Sequence, residues 1–184
     1  MPSNPAPGDL ELVRRFVNTL SLPDGPDELG DPDELGAWLA ANRLAGAGER
    51  FDPADVDRAR DVREALRGLL LANAGHGLPA GAVAALNRAA ADATLVVRFD
   101  RVGQAALEPG GGGVERALGR LLAIAHTAMV DGTWQRLKAC ANPDCAEAYY
   151  DRSKNRTARW CTMESCGNVM KARAYRRRHA PGRA

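Results

Sequence analysis

A chain of 184 residues has room for one domain of ordinary size plus a small one. Hydrophobic residues make up 45% of it, but Phe, Trp and Tyr number three each, so the core must be built from Leu, Ala and Val. The net charge of +2 conceals an uneven division: residues 138–184 carry eleven Lys and Arg against four Asp and Glu, the remainder is acidic, and no apolar run is long enough to span a membrane.

Residues 1–8 contain Pro, Ser and Gly and are expected to fray. From Asp9, the spacing of Leu10, Val13, Phe16, Val17 and Leu20 predicts a helix, which Asp24 to Gly30 breaks. Asp31 as cap, Pro32 at the first position and Glu34 as capping partner open a second helix, through Trp38 and Leu39 to about Leu44. Asp52-Pro53-Ala54-Asp55 repeats that signal and opens a third, to about Ala72, with Val56, Ala59, Val62, Leu66 and Leu69 on one stripe. Pro79 begins a shorter Ala-rich helix ending near Ala91, and Thr94–Asp100 with Gln104–Glu108 predict a β-hairpin turning at Arg101-Val102-Gly103. Gly110 to Gly113 form a loop that lacks the Gly-Lys-Ser/Thr of a phosphate loop. Val114 to Val130 is the most apolar helix, with Leu118, Leu121, Leu122, Ala125 and Met129 on its buried face, and is expected at the centre of the bundle. Thr133 to Lys138 then carry the chain out of a mostly helical body, residues 1–137, into a terminal unit, residues 138–184.

That unit holds all four cysteines. Cys140 and Cys145 form a C-x4-C pair, fifteen residues intervene, and Cys161 and Cys166 form a second C-x4-C pair. Two close thiol pairs separated by a hairpin-sized insert suit one tetrahedral zinc ion, since each pair binds from a short loop. A disulfide framework suits a secreted chain, but Met1 to Leu20 carry no apolar signal segment, and a redox C-x-x-C pair needs a shorter spacing. Oxidisable thiol pairs, or zinc that doubles as a thiol switch, are the remaining alternatives. Asn142-Pro143-Asp144 predicts a tight knuckle that turns amides toward the thiolates. Ala148–Asp151 and Thr157–Trp160 predict two strands around Ser153-Lys154-Asn155-Arg156, and Val169 to Arg178 a helix that follows the last ligand. Together these elements predict a treble-clef-like finger.

On these residues the segment from Lys138 to Arg178 resembles the CGNR zinc finger of bacterial proteins. The resemblance rests on Cys140 to Cys145, Tyr150-Asp151-Arg152-Ser153, Trp160-Cys161 and Cys166-Gly167-Asn168-Val169-Met170-Lys171, with Val169 where the family usually has arginine. The body is similar to the ABATE domain that commonly precedes such a finger, through Phe16-Val17-Asn18-Thr19, Arg60-Asp61-Val62-Arg63-Glu64-Ala65-Leu66 and Leu86-Asn87. The resemblance implies a stress-linked transcription regulator that binds DNA. The fold class expected is therefore mainly α: a helical N-terminal domain with one small hairpin, plus a treble-clef-like finger with four cysteine ligands.

A closed four-thiolate site leaves no open position for substrate, so the expected cofactor is one structural Zn2+. Phosphate contact would fall to Arg152, Lys154, Arg156 and Arg159 on the finger's insert, and to Lys171, Arg173, Arg176, Arg177 and Arg178 on its helix. The alternative is a solvated basic surface or a counter-charge to the zinc thiolates. Asn18, Thr19, Arg63, Asn87 and His126 are polar residues beside helical stripes and form a candidate effector pocket, against the commoner reading as satisfied core or capping groups. Gly-x-Ser-x-Gly, His-Glu-x-x-His and the dinucleotide glycine pattern are all missing, so no enzyme is expected. The expected partners are DNA and a small-molecule effector or a second copy of the chain, with no membrane, in a reducing cytoplasm. A protein-interaction module and a small-molecule-binding protein with a structural finger are the rival readings.

Overall fold

A computed structural model describes residues 4–22, 25–46 and 48–179. Among these, the helices are α1 (Leu10–Val17), α2 (Pro32–Ala41), α3 (Pro53–Asn73), α4 (Ala82–Asp92), α5 (Gly113–Val130) and α6 (Asn168–Arg178). Two antiparallel hairpins accompany them: β1 (Leu95–Phe99) with β2 (Ala105–Pro109), and β3 (Leu137–Ala139) with β4 (Ala148–Tyr150).

The capping residues act as the sequence suggests. Asp31 accepts from the Glu34 amide while Glu34 reaches back to the Gly30 amide. Asp52 and Asp55 form a reciprocal capping box, each carboxylate accepting from the other's backbone N–H at 2.9 Å. α2 stops short of Leu44, at Ala41, because Arg43 turns into the left-handed region at φ 59°. Asp24, where the break after α1 was expected to begin, lies outside the described residues, as do residues 1–3 of the segment expected to fray. Residues 4–8 are pinned rather than frayed: Ala6 is buried, and the Asn4 carbonyl accepts from the Tyr150 amide at 3.2 Å.

The centre of the bundle belongs to α3 as much as to α5. α3 packs against α1, α2, α4, α5 and β3, and its 21 residues bury Val56, Ala59, Val62, Leu66 and Leu70. α5 buries Leu118, Leu121 and Ala125, but Met129 is exposed at the edge of that face, beside the buried Ala128. Gly119 is where that covering is tightest: a Cβ there would lie 2.6 Å from the Ala93 Cβ and 2.9 Å from the Pro109 Cβ. Gly119→Ala is therefore expected to lower the melting temperature. The helix-propensity gain of about 1 kcal/mol is outweighed by an overpacking cost of roughly 1–3 kcal/mol. An unchanged or raised midpoint in a thermal melt would contradict this packing.

The core does not stop at the finger. Leu137, Ala139, Ala148 and Tyr150 belong to the same buried cluster as Phe16, Leu66 and Leu121. The β3–β4 hairpin lies on α3 and α1, and its turn carries the first cysteine pair. This corrects the predicted pairing of Ala148–Asp151 with Thr157–Trp160. β4 pairs instead with β3, in register Leu137↔Tyr150, Lys138↔Tyr149 and Ala139↔Ala148, so the segment Thr133 to Lys138, expected only to carry the chain outward, is a 3-10 turn at Trp134–Arg136 that ends in strand. Thr157–Trp160 lends its backbone elsewhere. The Arg159 carbonyl accepts from the Ala141 amide, and the Ala158 carbonyl takes the Tyr149 hydroxyl and the Lys138 ammonium.

Candidate metal centre and basic helix

The knuckle between β3 and β4 is built by Asn142, whose carbonyl accepts from the amides of Cys145 at 2.9 Å and Ala146 at 3.0 Å. Ala146 sits at φ 47°, an uncommon conformation for a residue with a Cβ. It is held there by a buried arginine, Arg67 of α3, which donates to the Ala146 carbonyl at 2.9 Å. The second pair comes from the other end of the insert, Cys161 after Trp160 and Cys166 within a single π-helical turn, Met163–Gly167, that leads into α6. Thr162 caps that turn by accepting from the Ser165 amide. Gly167 follows the last cysteine where a Cβ would lie 2.8 Å from the Met163 sulfur and 3.1 Å from Trp160, so only glycine fits without displacement.

All four sulfurs lie within 4.8 Å of one another, with 3.7 Å between Cys145 and Cys161 and 3.7 Å between Cys161 and Cys166. A tetrahedral zinc with bonds of about 2.3 Å to sulfur requires edges of about 3.8 Å, so the donor set fits one Zn2+. Cys140 and Cys166 are buried and Cys145 and Cys161 half-buried. Hydrogen bonds from Cys145 and Cys161, and from the backbone amides of Cys161 and Asn142, hold the Cys140 thiol far below its ordinary value. The bond to Cys140, desolvation and the Cys140 charge push the Cys145 thiol up, although the Glu147 amide favours its thiolate. Cys161 is likewise pushed up by Cys140 and Cys145. Sulfurs this close compete for charge, and a dication at their centre allows all four to be thiolates. The Asn142 side chain donates to the Cys166 sulfur at 3.5 Å, a support outside the ligand set. Tyr149 and Trp160 pack against the cysteines, while Tyr150 faces the body's core.

A buried ion pair braces the insert. Lys138 donates to Asp151 at 2.8 Å and to the Arg156 and Ala158 carbonyls, and Asp151 also accepts from the amides of Ser153 at 2.9 Å and Ala158 at 3.0 Å. Burial alone raises the Asp151 carboxyl, but the donors from Lys138 and Ser153 outweigh it and hold the group below the usual carboxylate range. Its contribution to stability is therefore present above the unfolded value of about 4 and is lost as pH falls through the lower folded value. Asp151→Asn is expected to cost about 3–5 kcal/mol at neutral pH, because it leaves the Lys138 cation buried without its partner. The gap in melting temperature between wild type and Asp151→Asn should narrow as pH drops below about 4. A gap constant down to pH about 2, below that range, would count against an ionised Asp151.

Family comparison agrees with this architecture in order and extent. The ABATE model, described as a putative stress-induced transcription regulator, matches residues 10–132. The chain belongs to the ABATE family. The CGNR zinc finger model follows it on residues 136–179, and neither is an enzyme family. No curated protein matches the chain significantly.

The basic residues of the CGNR finger are mostly in solvent. Lys154, Arg156, Lys171, Arg176, Arg177 and Arg178 are exposed. Arg152, also exposed, donates to the Pro5 carbonyl at 2.9 Å and lies 5.8 Å from the Tyr150 ring centre, and Arg159 lies 5.6 Å from that of Trp160. Arg173 is half-buried and pairs with Asp144 of the knuckle. α6 contains no buried residue.

The five candidate effector residues of the ABATE body are not brought together. Asn18 clamps β4, donating to the Ala148 carbonyl at 2.9 Å and accepting from the Ala148 amide at 2.7 Å. Thr19 accepts from Arg63, which also pairs with Asp27, while Asn87 and His126 are exposed on α4 and α5. The residue that sequence reasoning missed is Arg67. Nothing local marks it, because its partners, the carbonyls of Ala146 and Val17 and the Glu64 carboxylate, are either remote in sequence or ordinary helix neighbours.

Proposed function

We propose that this protein is a zinc-dependent, DNA-binding transcription regulator, in which the finger contacts DNA and the ABATE body senses an effector or self-associates. The observation that carries the reading is α6, eleven residues with five Lys and Arg and no buried side chain, held at the end of a metal-fixed unit. Cations on a rigid frame are what phosphate contact requires, and among the described residues α6 packs chiefly on the π-helical turn that precedes it. The insert adds Lys154 and Arg156, both exposed.

The sensing half of the proposal is supported by a cleft of about 410 Å³ between the body and the knuckle, lined by Arg14, Arg15, Asn18, Trp38, Cys145 and Glu147. A small molecule there would touch both units at once. The cytoplasm is the compartment where such a regulator meets its target, and among the described residues no helix is long and apolar enough to cross a membrane.

The test is titration of labelled duplex at several salt concentrations. Affinity should fall steeply with salt, and replacing Arg176 and Arg178 together with alanine should flatten the slope of log K against log salt by roughly 2, at about 0.9 per lost phosphate contact. Absent binding, or binding indifferent to both salt and the double substitution, would overturn the proposal.

A further inference from the structure

Advancing by about 100° per residue, α6 separates into distinct faces. Met170, Arg173 and Ala174 are half-buried and mark the side that rests on the finger. Opposite them lie Asn168, Ala172, Tyr175 and His179, all exposed, at the i, i+4, i+7, i+11 spacing of a single stripe. None carries a formal charge when histidine is neutral, although five of the helix's eleven residues are Lys or Arg. Three of the cations flank the stripe, Arg176 on one side and Lys171 and Arg178 on the other, while Arg173 and Arg177 lie on the far side. Tyr175 is 58% exposed, and its ring stacks on His179 with centres 4.1 Å apart and planes 24° from parallel. The His179 Nδ1 lies 3.0 Å from the Tyr175 carbonyl, so the pair is held in one arrangement at the outer end of the helix.

Resting on the DNA-binding reading above, we infer that this uncharged stripe is the base-reading face of α6, and that the flanking cations hold the two phosphate backbones of one B-form major groove. A helix of about 10–12 Å diameter fits a groove about 12 Å wide, and long cationic side chains on either flank then reach the strands that border it. The stripe has the chemistry for base edges. The Asn168 amide gives one N–H to the Glu164 carbonyl at 3.2 Å and keeps its other N–H and Oδ1 for adenine N7 and N6, an alanine methyl packs on the thymine methyl, and a tyrosine hydroxyl donates to or accepts from an exposed edge. The same face is ill suited to double-stranded RNA, whose major groove is too deep and narrow for a helix. Specificity therefore lies with Asn168, Ala172 and Tyr175, and affinity with Lys171, Arg176 and Arg178.

The experiment is selection from a randomised duplex pool with the zinc-loaded full chain, followed by titration of the selected and a scrambled duplex. Tyr175→Ala and Ala172→Gln, both on an exposed face, should leave zinc content, circular dichroism and salt slope unchanged. They should reduce the selected-to-scrambled affinity ratio by about tenfold or more. Arg178→Ala should do the reverse, weakening both duplexes equally and flattening the salt slope by about 1. If wild type selects a sequence and the ratio survives Tyr175→Ala and Ala172→Gln, the stripe is not the reading face, although DNA binding stands. If wild type binds no duplex, or prefers RNA to every duplex, both proposals fall.

Discussion

Cys140→Ser is expected to release the metal and unfold the chain from β3 onward. Cys140 is 1% exposed and lies in the β3–β4 turn, where its amide also bonds to the Glu147 carbonyl at 2.9 Å. Structural zinc contributes on the order of 10 kcal/mol or more in isolated fingers, comparable with the roughly 5–15 kcal/mol that holds a whole domain together. The loss will spread beyond the finger, because Leu137, Ala139, Ala148 and Tyr150 are part of the body's core and Asn18 of α1 clamps both polar groups of Ala148. The variant should therefore purify with less than one equivalent of zinc and melt earlier in the far-ultraviolet signal of the helical body. Chelation of the wild-type protein should reproduce both effects. A metal-free protein with an unchanged melt would remove the zinc centre from the account of this fold.

The second large effect is expected at Arg67. Its buried guanidinium donates to the Val17 carbonyl at 2.7 Å, the Ala146 carbonyl at 2.9 Å, the Leu20 carbonyl at 3.3 Å and the Glu64 carboxylate at 3.0 Å. Arg67→Ala leaves those acceptors without their donor and opens a cavity at the junction of α1, α3 and the knuckle. The cost should be about 3–5 kcal/mol, which lowers the melting temperature of a chain this size by roughly 10 °C. Arg67→Met keeps most of the bulk and should rescue little, because packing is not what the side chain supplies. Arg67→Lys retains the charge but not the fork, and should fall between the wild type and Arg67→Met. Zinc affinity should weaken in the alanine variant, since Ala146 loses the bond that holds its positive φ beside Cys145. A loss under about 1 kcal/mol for Arg67→Ala, no more than one ordinary hydrogen bond, would refute this role.

Which parts of this architecture were legible in the sequence follows from how local their physics is. The caps at Asp31 and Asp52 act within one helical turn, and two C-x4-C pairs announce a tetrahedral donor set wherever the chain between them runs. Strand pairing is different. Leu137–Ala139 is three residues long, too short for alternation to register, and the four-residue stretch Thr157–Trp160 beyond the Ser153–Arg156 turn is the more obvious partner for β4. The partnership was decided by burial: β3 had α3 beneath it, whereas Thr157 and Arg159 are exposed. Asn18, Thr19 and Arg63 drew notice as polar residues beside apolar stripes, and their partners turn out to be backbone and carboxylate groups of the protein itself. Arg67 drew none, for an arginine in a helix gives no local sign that it points inward.

The shared core beneath the β3–β4 hairpin makes the finger's reach a matter of leverage. With its root sunk among α1 and α3, the tip cannot swivel on a tether to search for its target, and its aim is set by the attitude of the body. A tilt of α1 across α3 by a few degrees would swing the far end of α6 in proportion to its distance from that fulcrum. Two copies that docked through their bodies would hold their tips at one fixed span, and under the proposed DNA-binding function the separation of paired sites along the double helix would be dictated well away from the bases.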